Sequence, residues 1–402
     1  MNYSAQEVIE YARQADVKFI RLAFCDAYGR QKNIAVMPSE LSRAFDTGIA
    51  FDASAVPGFG GAVRSDLFLH PDPATLTGLP WRPETGRVVR MFCDISHPDG
   101  SPFEADSRGI LRRAVKAAAG YGLRFYFGPE MEFYLFKNGP DGERTDSPCD
   151  NAGYMDIAPD DKGENVRREI CLMLEQMGVR PESSHHEEGP GQNEINFRFD
   201  DAMTAADNAM TFQTVVKTIA NLNGLYADFS PKPLDHKPGN GFHINMSVKS
   251  EQGDNSESMI AGVLEHICEM TAFLNPTKES YDRFGKSKAP LYVSWSSENR
   301  SQLIRIPAAV GEYRRAELRS PDPTANPYIA FALIIYAGLD GIEKGLKLPA
   351  AADFNLYKAD MQTLSDFKKL PDTLPAARRA ALSSRFVAAH IPAALIDIYC
   401  KN

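Results

Sequence analysis

The sequence predicts an α+β fold in which a small sheet-rich N-terminal domain precedes a larger domain of alternating helices and strands. Short strand-like runs alternate with turns over about the first hundred residues, and helical spacing begins at Ser107. The 402 residues are 43% hydrophobic and 24% charged, which is typical of a globular chain with one large domain or two unequal ones. We expect the two domains to span 1–102 and 103–402.

Strand-like runs account for the sheet-rich character of the N-terminal domain. They lie at Lys18–Ala23, Asn33–Met37 and Val88–Asp94. The last run is followed by Pro98-Asp99-Gly100, whose residue types are typical of a turn. A small sheet at the start of the chain is therefore expected.

Helices and strands alternate in the larger domain. From Ser107 onward apolar residues recur three and four positions apart, and a strand is predicted at Leu123–Phe136. Further helices are predicted at Asn165–Gly178, Ala205–Leu225 and Phe331–Ile342, the last of them nearly all apolar. We expect these helices to form framework rather than a site.

Composition and charge exclude several classes of partner. The formal net charge is −9, from 44 basic and 53 acidic residues, so the chain has no electrostatic footprint for nucleic acid. The N-terminal segment does not read as a leader, and no apolar run is long enough to cross a membrane. Six scattered cysteines without a C-x-x-C pair fit reduced thiols. We expect a soluble cytoplasmic protein with no membrane partner.

Two glutamates interrupt an otherwise apolar strand. Glu130 and Glu132 lie two positions apart within Phe127–Phe136, and side chains two apart share one face of a strand. Burying two like charges side by side costs several kcal/mol unless something compensates them. The pair therefore indicates divalent cations or strongly basic partners. A solvent-facing pair on an edge strand is the alternative.

A second acidic cluster follows further along the chain. Glu187 precedes a Gly-Pro-Gly turn, and Glu194 and Asn196 alternate with apolar residues, as on a strand with one polar face. Two more carboxylates can thereby reach one cavity, and oxygen-rich ligation favours Mg²⁺ or Mn²⁺ over zinc. His185 and His186 are either ligands or supporting residues.

A histidine and a set of arginines complete the candidate residues. His243 follows Gly239-Asn240-Gly241, where glycines allow a ligand to approach the backbone; a satisfied core histidine is the alternative. Arg315, Glu317 and Arg319 alternate along one strand, which places a carboxylate between guanidiniums suited to phosphate or carboxylate binding. A surface ladder of salt bridges would give the same pattern.

Taken together and in this order, these elements resemble the bacterial type I glutamine synthetase family over nearly the whole chain. The residues that carry the resemblance are Phe51-Asp52-x-Ser54, Ser65-Asp66, Gly128-Pro129-Glu130-x-Glu132-Phe133, His185-His186-Glu187, Gly191-Gln192-Asn193-Glu194, Lys232-Pro233, Gly241-x-His243, Asn299-Arg300-Ser301, Ile304-Arg305-Ile306-Pro307 and Glu317-x-Arg319-x-Pro321-Asp322-Pro323-x-Ala325-Asn326-Pro327. The resemblance implies a small β-grasp-like domain followed by a large catalytic domain, whose antiparallel sheet is flanked by helices.

The resemblance also implies an ATP-dependent ligase that phosphorylates the side-chain carboxyl of glutamate and condenses it with ammonia or an amine. It implies two or more Mg²⁺ or Mn²⁺ ions per site, one held by Glu132, Glu187 and Glu194, the other by Glu130, His243 and Glu317. By the same resemblance, Tyr154, Glu182, Asn245, Ser247, Arg305 and Arg315 contact the nucleotide. Gly239, Arg283, Arg300 and Arg319 hold glutamate, and Asp52, Arg300 and Arg319 are catalytic.

Departures from the family pattern leave the acceptor open. The family places an acid after the position of Arg283, but Phe284–Pro290 has none. Ala55 and Pro238 also replace a usual serine and asparagine. Without an acid to bind the ammonium ion, the site favours a neutral or bulkier amine as the acceptor. A γ-glutamyl-alkylamide or polyamine synthetase is therefore the main alternative to a glutamine synthetase, and a catalytically silent scaffold is the second.

The resemblance extends to assembly. It implies a homo-oligomeric ring in which each site lies between two subunits, with Asp52 supplied across the interface. The early end of the chain argues against stacking of two rings, and Tyr357 falls where some family members are adenylylated.

Overall fold

The computed structural model describes residues 3–401 except 62, 64, 83, 84, 252, 287, 298, 310, 312 and 313. The chain divides into two compact units. One contains the residues up to Ile110 together with Leu172–Val179, and the other contains Leu111–Cys171 and the residues from Arg180 onward. Both helices and sheets are present, as the predicted α+β class requires.

The first unit is built around one sheet. Its strands are β1 (Val17–Cys25), β2 (Gln31–Val36), β3 (Ile49–Asp52), β4 (Asp66–Pro71), β5 (Thr77–Gly78) and β6 (Arg87–Ser96). Among the described residues the sheet order is β2-β1-β6-β4-β3, with β5 also paired to β6. The β1–β6 pair is parallel and the others are antiparallel. The three strands predicted from sequence overlap β1, β2 and β6.

Two helices accompany this sheet, α1 (Ala5–Gln14) and α2 (Leu41–Asp46). Helix α1 was not predicted from the sequence. Its start is fixed by Ser4, whose hydroxyl accepts from the backbone N–H of Glu7 while the Glu7 carboxylate accepts from the Ser4 backbone N–H. This capping box satisfies backbone donors that a helix otherwise leaves unpaired.

The second unit contains a larger sheet. Its strands are β7 (Leu123–Asn138), β8 (Arg144–Pro148), β9 (Pro181–His186), β10 (Gln192–Phe197), β11 (Asp200–Asp201), β12 (Leu225–Asp228), β13 (Phe242–Ser250), β14 (Trp295–Ser297), β15 (Ile304–Ile306) and β16 (Ala316–Leu318). The described order is β14-β15-β16-β13-β7-β10-β9, and β8, β11 and β12 also pair with β7. The pairing is antiparallel except between β14 and β15 at the edge, so the predicted antiparallel sheet carries one parallel pair.

The remaining helices are α3 (Ser107–Gly120), α4 (Glu164–Gln176), α5 (Ala202–Leu222), α6 (Ser256–Leu274), α7 (Pro327–Glu343), α8 (Met361–Leu364), α9 (Leu374–Leu382), α10 (Arg385–His390) and α11 (Ala393–Cys400). The predicted helices correspond to α3, α4, α5 and α7, but α5 and α7 begin earlier than their apolar patterns. Asp201 and Asn326 cap the first backbone N–H groups of these two helices, so capping rather than hydrophobic periodicity sets where they start. No helix in the described part of the chain combines the length and hydropathy that a membrane crossing requires.

The central strand β7 separates a helix-covered face from a polar face. Phe127 stacks on Phe331 of α7 with ring centroids 4.2 Å apart, and Phe133 meets Phe212 of α5 edge-on at 6.1 Å. These phenylalanines occupy odd-numbered positions, so the alternation of the strand directs the even-numbered positions, including Glu130, to the opposite face. Burial of the apolar face stabilises the sheet, while the other face is left for polar side chains.

Helices α6 and α7 approach so closely that glycine is required in both. A Cβ atom on Gly262 would lie 2.1 Å from the carbonyl oxygen of Ala337, and one on Gly341 would lie 2.1 Å from the carbonyl oxygen of Ser258. Both contacts are with backbone, which cannot rotate away. Glycine at these positions therefore sets the spacing of the two helices.

We predict that Gly262→Ala lowers the free energy of unfolding by at least about 2 kcal/mol, because the added methyl group forces α6 and α7 apart. Urea denaturation followed by circular dichroism measures this change. Gly120→Ala, in α3 where a Cβ meets no atom within 4 Å, is the matched control and should shift it by less than about 1 kcal/mol. Equal effects of the two substitutions would contradict the prediction.

Candidate active site

A polar cleft of about 250 Å³ in the second unit contains most of the predicted site residues. Those that line it are Glu130, Glu132, Tyr154, Glu187, Glu194, Gly239, His243, Arg283, Arg300, Arg305, Arg315 and Arg319. A neighbouring cleft of about 150 Å³ is lined by Glu182, Asn245 and Ser247 and shares Glu130 and Arg315 with the first. The resemblance implied that Tyr154 contacts the nucleotide together with Glu182, Asn245 and Ser247, but Tyr154 lines the first cleft.

Strand register brings the acids together. Glu132 on β7 faces Glu194 on β10, and Glu130 faces His243 on β13. On the far side of β13, Asn245 faces Glu317 of β16. Four antiparallel strands therefore present their polar positions at one place, although the residues are separated by up to about 190 positions in the chain.

Within the described residues, four groups of side chains have ligand atoms that all lie within 4.8 Å of one another. Three of them share members: Glu130, His243 and Glu317; Glu132, Glu194 and His243; and His185, Glu187 and Glu194. The fourth is the buried set Asp150, Asp161 and His186. The first group is the set that the resemblance implied for one metal. The other implied set, Glu132, Glu187 and Glu194, is divided between two groups that share Glu194, and these groups add His185 and His243.

Burial and mutual repulsion raise the pKa values of two of the acids. Burial raises the pKa of Glu194, and the nearby carboxylates of Glu130 and Glu132 raise it further. Burial also raises the pKa of Glu132, against the opposing effect of His243. Carboxylates crowded in this way ionise together only if positive charge joins them. A cluster of carboxylate oxygens with one or two imidazoles fits a divalent cation such as Mg²⁺ or Mn²⁺.

Two guanidiniums hold Glu317 ionised. Its carboxylate accepts from Arg305 Nε at 2.5 Å and from Arg319 Nη1. Although burial acts to raise the pKa of Glu317, the charges of Arg319 and other neighbouring cations lower it to about 2. The predicted carboxylate between guanidiniums is therefore present, with Arg305 of β15 as the second partner. Arg315 donates from Nε to Asn245 Oδ1 at 2.7 Å.

The two glycines before His243 are required by close packing. A Cβ atom on Gly241 would lie 2.6 Å from His243 Nε2, and one on Gly239 would lie 2.5 Å from the carbonyl oxygen of Pro231 and 2.7 Å from Arg283 Cγ. Arg283 itself is buried and donates to the carbonyl oxygens of Ser320 and Pro321. Glycine is therefore needed to seat both the imidazole and the guanidinium.

Gln192 lines the cleft, although the motif that contains it predicted no role for its side chain. Its amide donates to Glu132 Oε2 at 3.2 Å and to the carbonyl oxygen of Gly239 at 3.1 Å. The signal was available, because Gln192 lies two positions before Glu194 and so on the same face of β10.

His186 takes part in a buried network that the sequence did not reveal. Its Nε2 lies 3.0 Å from Asp150 Oδ1 and its Nδ1 lies 2.6 Å from the carbonyl oxygen of Glu187. Both partners are acceptors, so the ring donates from both nitrogens as an imidazolium. Asp150 also accepts from the backbone N–H of Gly191 at 2.8 Å. The pair thus holds both ends of the turn that carries Glu187, while His185 lies beside the Glu187 carboxylate at 3.1 Å.

The segment Phe284–Pro290, which lacks an acid, contributes positive charge to the cleft. Lys286 and Lys288 line it, and Lys288 Nζ lies 2.5 Å from Glu188 Oε1. Ser287 lies outside the described residues.

Asp52 belongs to the first unit, at the end of β3. Its carboxylate is exposed and accepts from the hydroxyl and the backbone N–H of Ser54 at 2.6 and 2.9 Å. These hydrogen bonds lower its pKa, so the group is an anion at neutral pH.

Known proteins match the chain along nearly its whole length. Residues 16–98 match the β-grasp domain of glutamine synthetase, and residues 104–402 match the glutamine synthetase catalytic domain. The chain is 43% identical to a glutamine synthetase of Clostridium saccharobutylicum over 388 residues, which cover 92% of this chain and 88% of the relative. It is 42% identical to one from Methanosarcina mazei over 398 residues, 95% of this chain and 89% of the relative.

Solved structures agree with these sequence matches. The structure of GmaS in complex with ADP superposes with a TM-score of 0.88 at 30% identity and covers all of this chain and 94% of the other. GmaS without ligand superposes with a TM-score of 0.87 at the same identity. The predicted fold class, a β-grasp-like N-terminal domain followed by the larger catalytic domain, is confirmed.

We predict that Arg319→Lys lowers the free energy of unfolding by about 2 kcal/mol, because a single ammonium cannot contact both the Glu317 carboxylate and the carbonyl oxygen of Lys288, as the buried guanidinium does. Urea denaturation measures the change. Arg43→Lys replaces an exposed partner of Glu40 and should shift the value by less than about 0.5 kcal/mol. If Arg319→Lys changes the free energy of unfolding as little as Arg43→Lys does, the two-pronged contact of the Arg319 guanidinium is not needed for stability.

Proposed function

This chain belongs to the glutamine synthetase family, whose members are carbon–nitrogen ligases that use ATP and divalent metal ions, and on that premise we propose that its cleft activates glutamate and joins it to ammonia or a small amine. The observation that carries the proposal is the gathering of five glutamates and one histidine, from four strands and the turn between β9 and β10, beside a set of arginines. A carboxylate cannot be displaced by an amine until one of its oxygens is made a good leaving group. Phosphorylation of that oxygen meets the requirement.

In the proposed reaction, a γ-carboxylate oxygen of glutamate attacks the γ-phosphorus of ATP, and ADP leaves. The amine nitrogen then attacks the carbonyl carbon of the acyl phosphate, phosphate leaves with the electron pair of the C–O bond, and the nitrogen loses a proton. Divalent cations, when bound, neutralise phosphate charge and polarise the transferring group. Two sets of ligands are proposed for them: Glu132, Glu187 and Glu194, and Glu130, His243 and Glu317.

We assign the arginines of the cleft to two proposed roles, binding of the phosphates and binding of glutamate. Arg305, Arg315 and Arg319 face the phosphates, where fixed guanidiniums stabilise the charge that develops in transfer. Arg283 and Arg300, with the backbone at Gly239, hold glutamate. The neighbouring cleft, lined by Glu182, Asn245 and Ser247, is proposed for the rest of the nucleotide. Tyr154 lines the first cleft, and its ring meets that of His185 edge-on with centroids 5.5 Å apart.

Two features favour an amine other than ammonia as a second candidate. The segment Phe284–Pro290 brings lysines rather than an acid to the cleft, and GmaS shares the fold over the full chain. A catalytically silent scaffold finds less support, because all six proposed ligand residues are present and close together.

We further propose two domains, which span 1–102 and 103–402. We also propose a homo-oligomeric ring in which Asp52 serves a neighbouring subunit's site, and a cytoplasmic location where ATP is supplied.

The test is glutamate-dependent phosphate release from ATP with Mg²⁺ or Mn²⁺ across a panel of amines. We expect release that requires both glutamate and metal and that rises when ammonia or a small amine is added. Glu132→Ala should abolish it because a proposed metal ligand is lost, whereas Glu175→Ala, at an exposed position of α4, should leave it unchanged. No glutamate-dependent release with any amine would favour the silent scaffold, and release with alkylamines but not ammonia would favour the amine ligase.

A further inference from the structure

Lys288 contacts three separate segments around the cleft. Its ammonium nitrogen lies 2.5 Å from Glu188 Oε1, in the turn before β10, and 5.1 Å from the centroid of the Tyr154 ring. Its backbone carbonyl oxygen accepts from Arg319 Nη2 at 3.4 Å. A carboxylate and the face of an aromatic ring are both groups that stabilise an ammonium ion. Glu188 and Tyr154 together therefore form a cation site, and Lys288 occupies it.

The backbone of Lys288 adopts an unusual conformation that fixes where its side chain begins. Its φ is +69°, a left-handed value that lysine rarely takes. The turn that carries it is closed by the N–H of Gly285, which donates to the carbonyl oxygen of Ala289 at 2.9 Å. Such a conformation persists only where the surroundings hold it. The position of the ammonium is thus set by the turn as well as by the cation site.

The cation site adjoins the part of the cleft in which the acyl phosphate would form. The backbone N–H of Glu188 donates to Glu187 Oε2 at 3.1 Å, and Glu187 is a proposed metal ligand. Arg319, which donates to the carbonyl oxygen of Lys288, is proposed to face the phosphates. Lys288 therefore connects two residues that serve the reacting groups, and its charge lies beside the place where an acceptor amine must arrive.

The cation site is open to a ligand. The side chains of Lys288 and Glu188 are 41% and 42% exposed, and both line the cleft together with Tyr154. The distal ammonium of a diamine would find the same carboxylate and ring attractive, but it meets the charge of Lys288 already there, and like charges repel. The apolar tail of a monoamine carries no second charge and escapes this repulsion.

We propose that Lys288 fills the cation site of Glu188 and Tyr154 with its own ammonium, and thereby restricts the acceptor to ammonia and small monoamines and excludes diamines and polyamines. The inference rests on the proposed function and names the class of acceptor for it. Removal of the lysine ammonium should open the cation site to the distal ammonium of a diamine, whose other nitrogen then forms the amide with glutamate.

Butylamine and 1,3-diaminopropane make a matched pair of acceptors, because they have the same length and differ in a methyl group or an amino group at the far end. Pentylamine and 1,4-diaminobutane form a longer pair. Glutamate-dependent phosphate release at several acceptor concentrations gives kcat/KM for each amine. We expect the unmodified chain to prefer the monoamine of each pair.

Lys288→Gly and Lys288→Asn remove the ammonium and suit the left-handed backbone, since both residue types tolerate a positive φ. Either substitution should raise the ratio of diamine to monoamine kcat/KM about tenfold in at least one pair, because the distal ammonium gains a carboxylate and a ring. Comparison of this ratio between variants cancels the difference in basicity of the two amines.

Two further variants serve as controls. Glu188→Gln added to Lys288→Gly should cancel the gain, because the cation site has then lost its carboxylate. Lys347→Asn, at an exposed position beyond α7, removes a lysine away from the cleft and should keep the ratio of the unmodified chain.

An unmodified chain that prefers diamines would overturn the inference, and so would Lys288 variants whose ratio does not rise. Hydroxylamine, a small nucleophile that is uncharged at neutral pH, separates this failure from failure of the proposed function. No glutamate-dependent release by the unmodified chain with hydroxylamine contradicts the proposed function itself. If both Lys288 variants alone lose release with hydroxylamine, the lysine serves the reaction and not the choice of acceptor, which also overturns the inference.

Discussion

Repulsion among the carboxylates of β7 and β10 is the constraint on which the rest of the cleft depends. Glu132 lies opposite Glu194, with Glu130 one step along the same face, so like charges lie close together around the buried Glu194. Such an arrangement is costly without cations. The apolar side of the same sheet, covered by α5 and α7, supplies the stability that holds these groups in place.

Other features of the cleft follow from this crowding. Arg305 and Arg319 form ion pairs with Glu317 and keep its carboxylate ionised. Gly241 leaves room for the ring of His243 beside the acids. The buried pair of Asp150 and His186 fixes the turn before β10. Each of these limits the movement by which the carboxylates could separate, and a rigid cluster of oxygens suits a small divalent cation.

Sequence patterns predicted the parts that depend on periodicity and left out those that depend on register. The alternation of side chains along a strand placed Glu130 and Glu132 on one face of β7. The same alternation, extended two positions towards the N-terminus from Glu194, places Gln192 beside Glu194 on β10. It could not show that Arg305 is the second guanidinium on Glu317, because that contact arises from the pairing of β15 with β16. Asp150 lies 36 positions before His186, and no local pattern links two residues that meet only after folding. The starts of α5 and α7 were missed for a simpler reason, since their caps lie outside the apolar pattern.

Binding of Mn²⁺, followed by electron paramagnetic resonance as the ion is titrated into the metal-free protein, tests the central claim most directly. If the facing acids form a pair of cation sites, the titration saturates at two ions per chain, and Glu132→Ala and Glu317→Ala each remove one of them. A chain that binds no Mn²⁺, or whose binding is unaffected by either substitution, would show that the carboxylates are held together by something other than divalent cations.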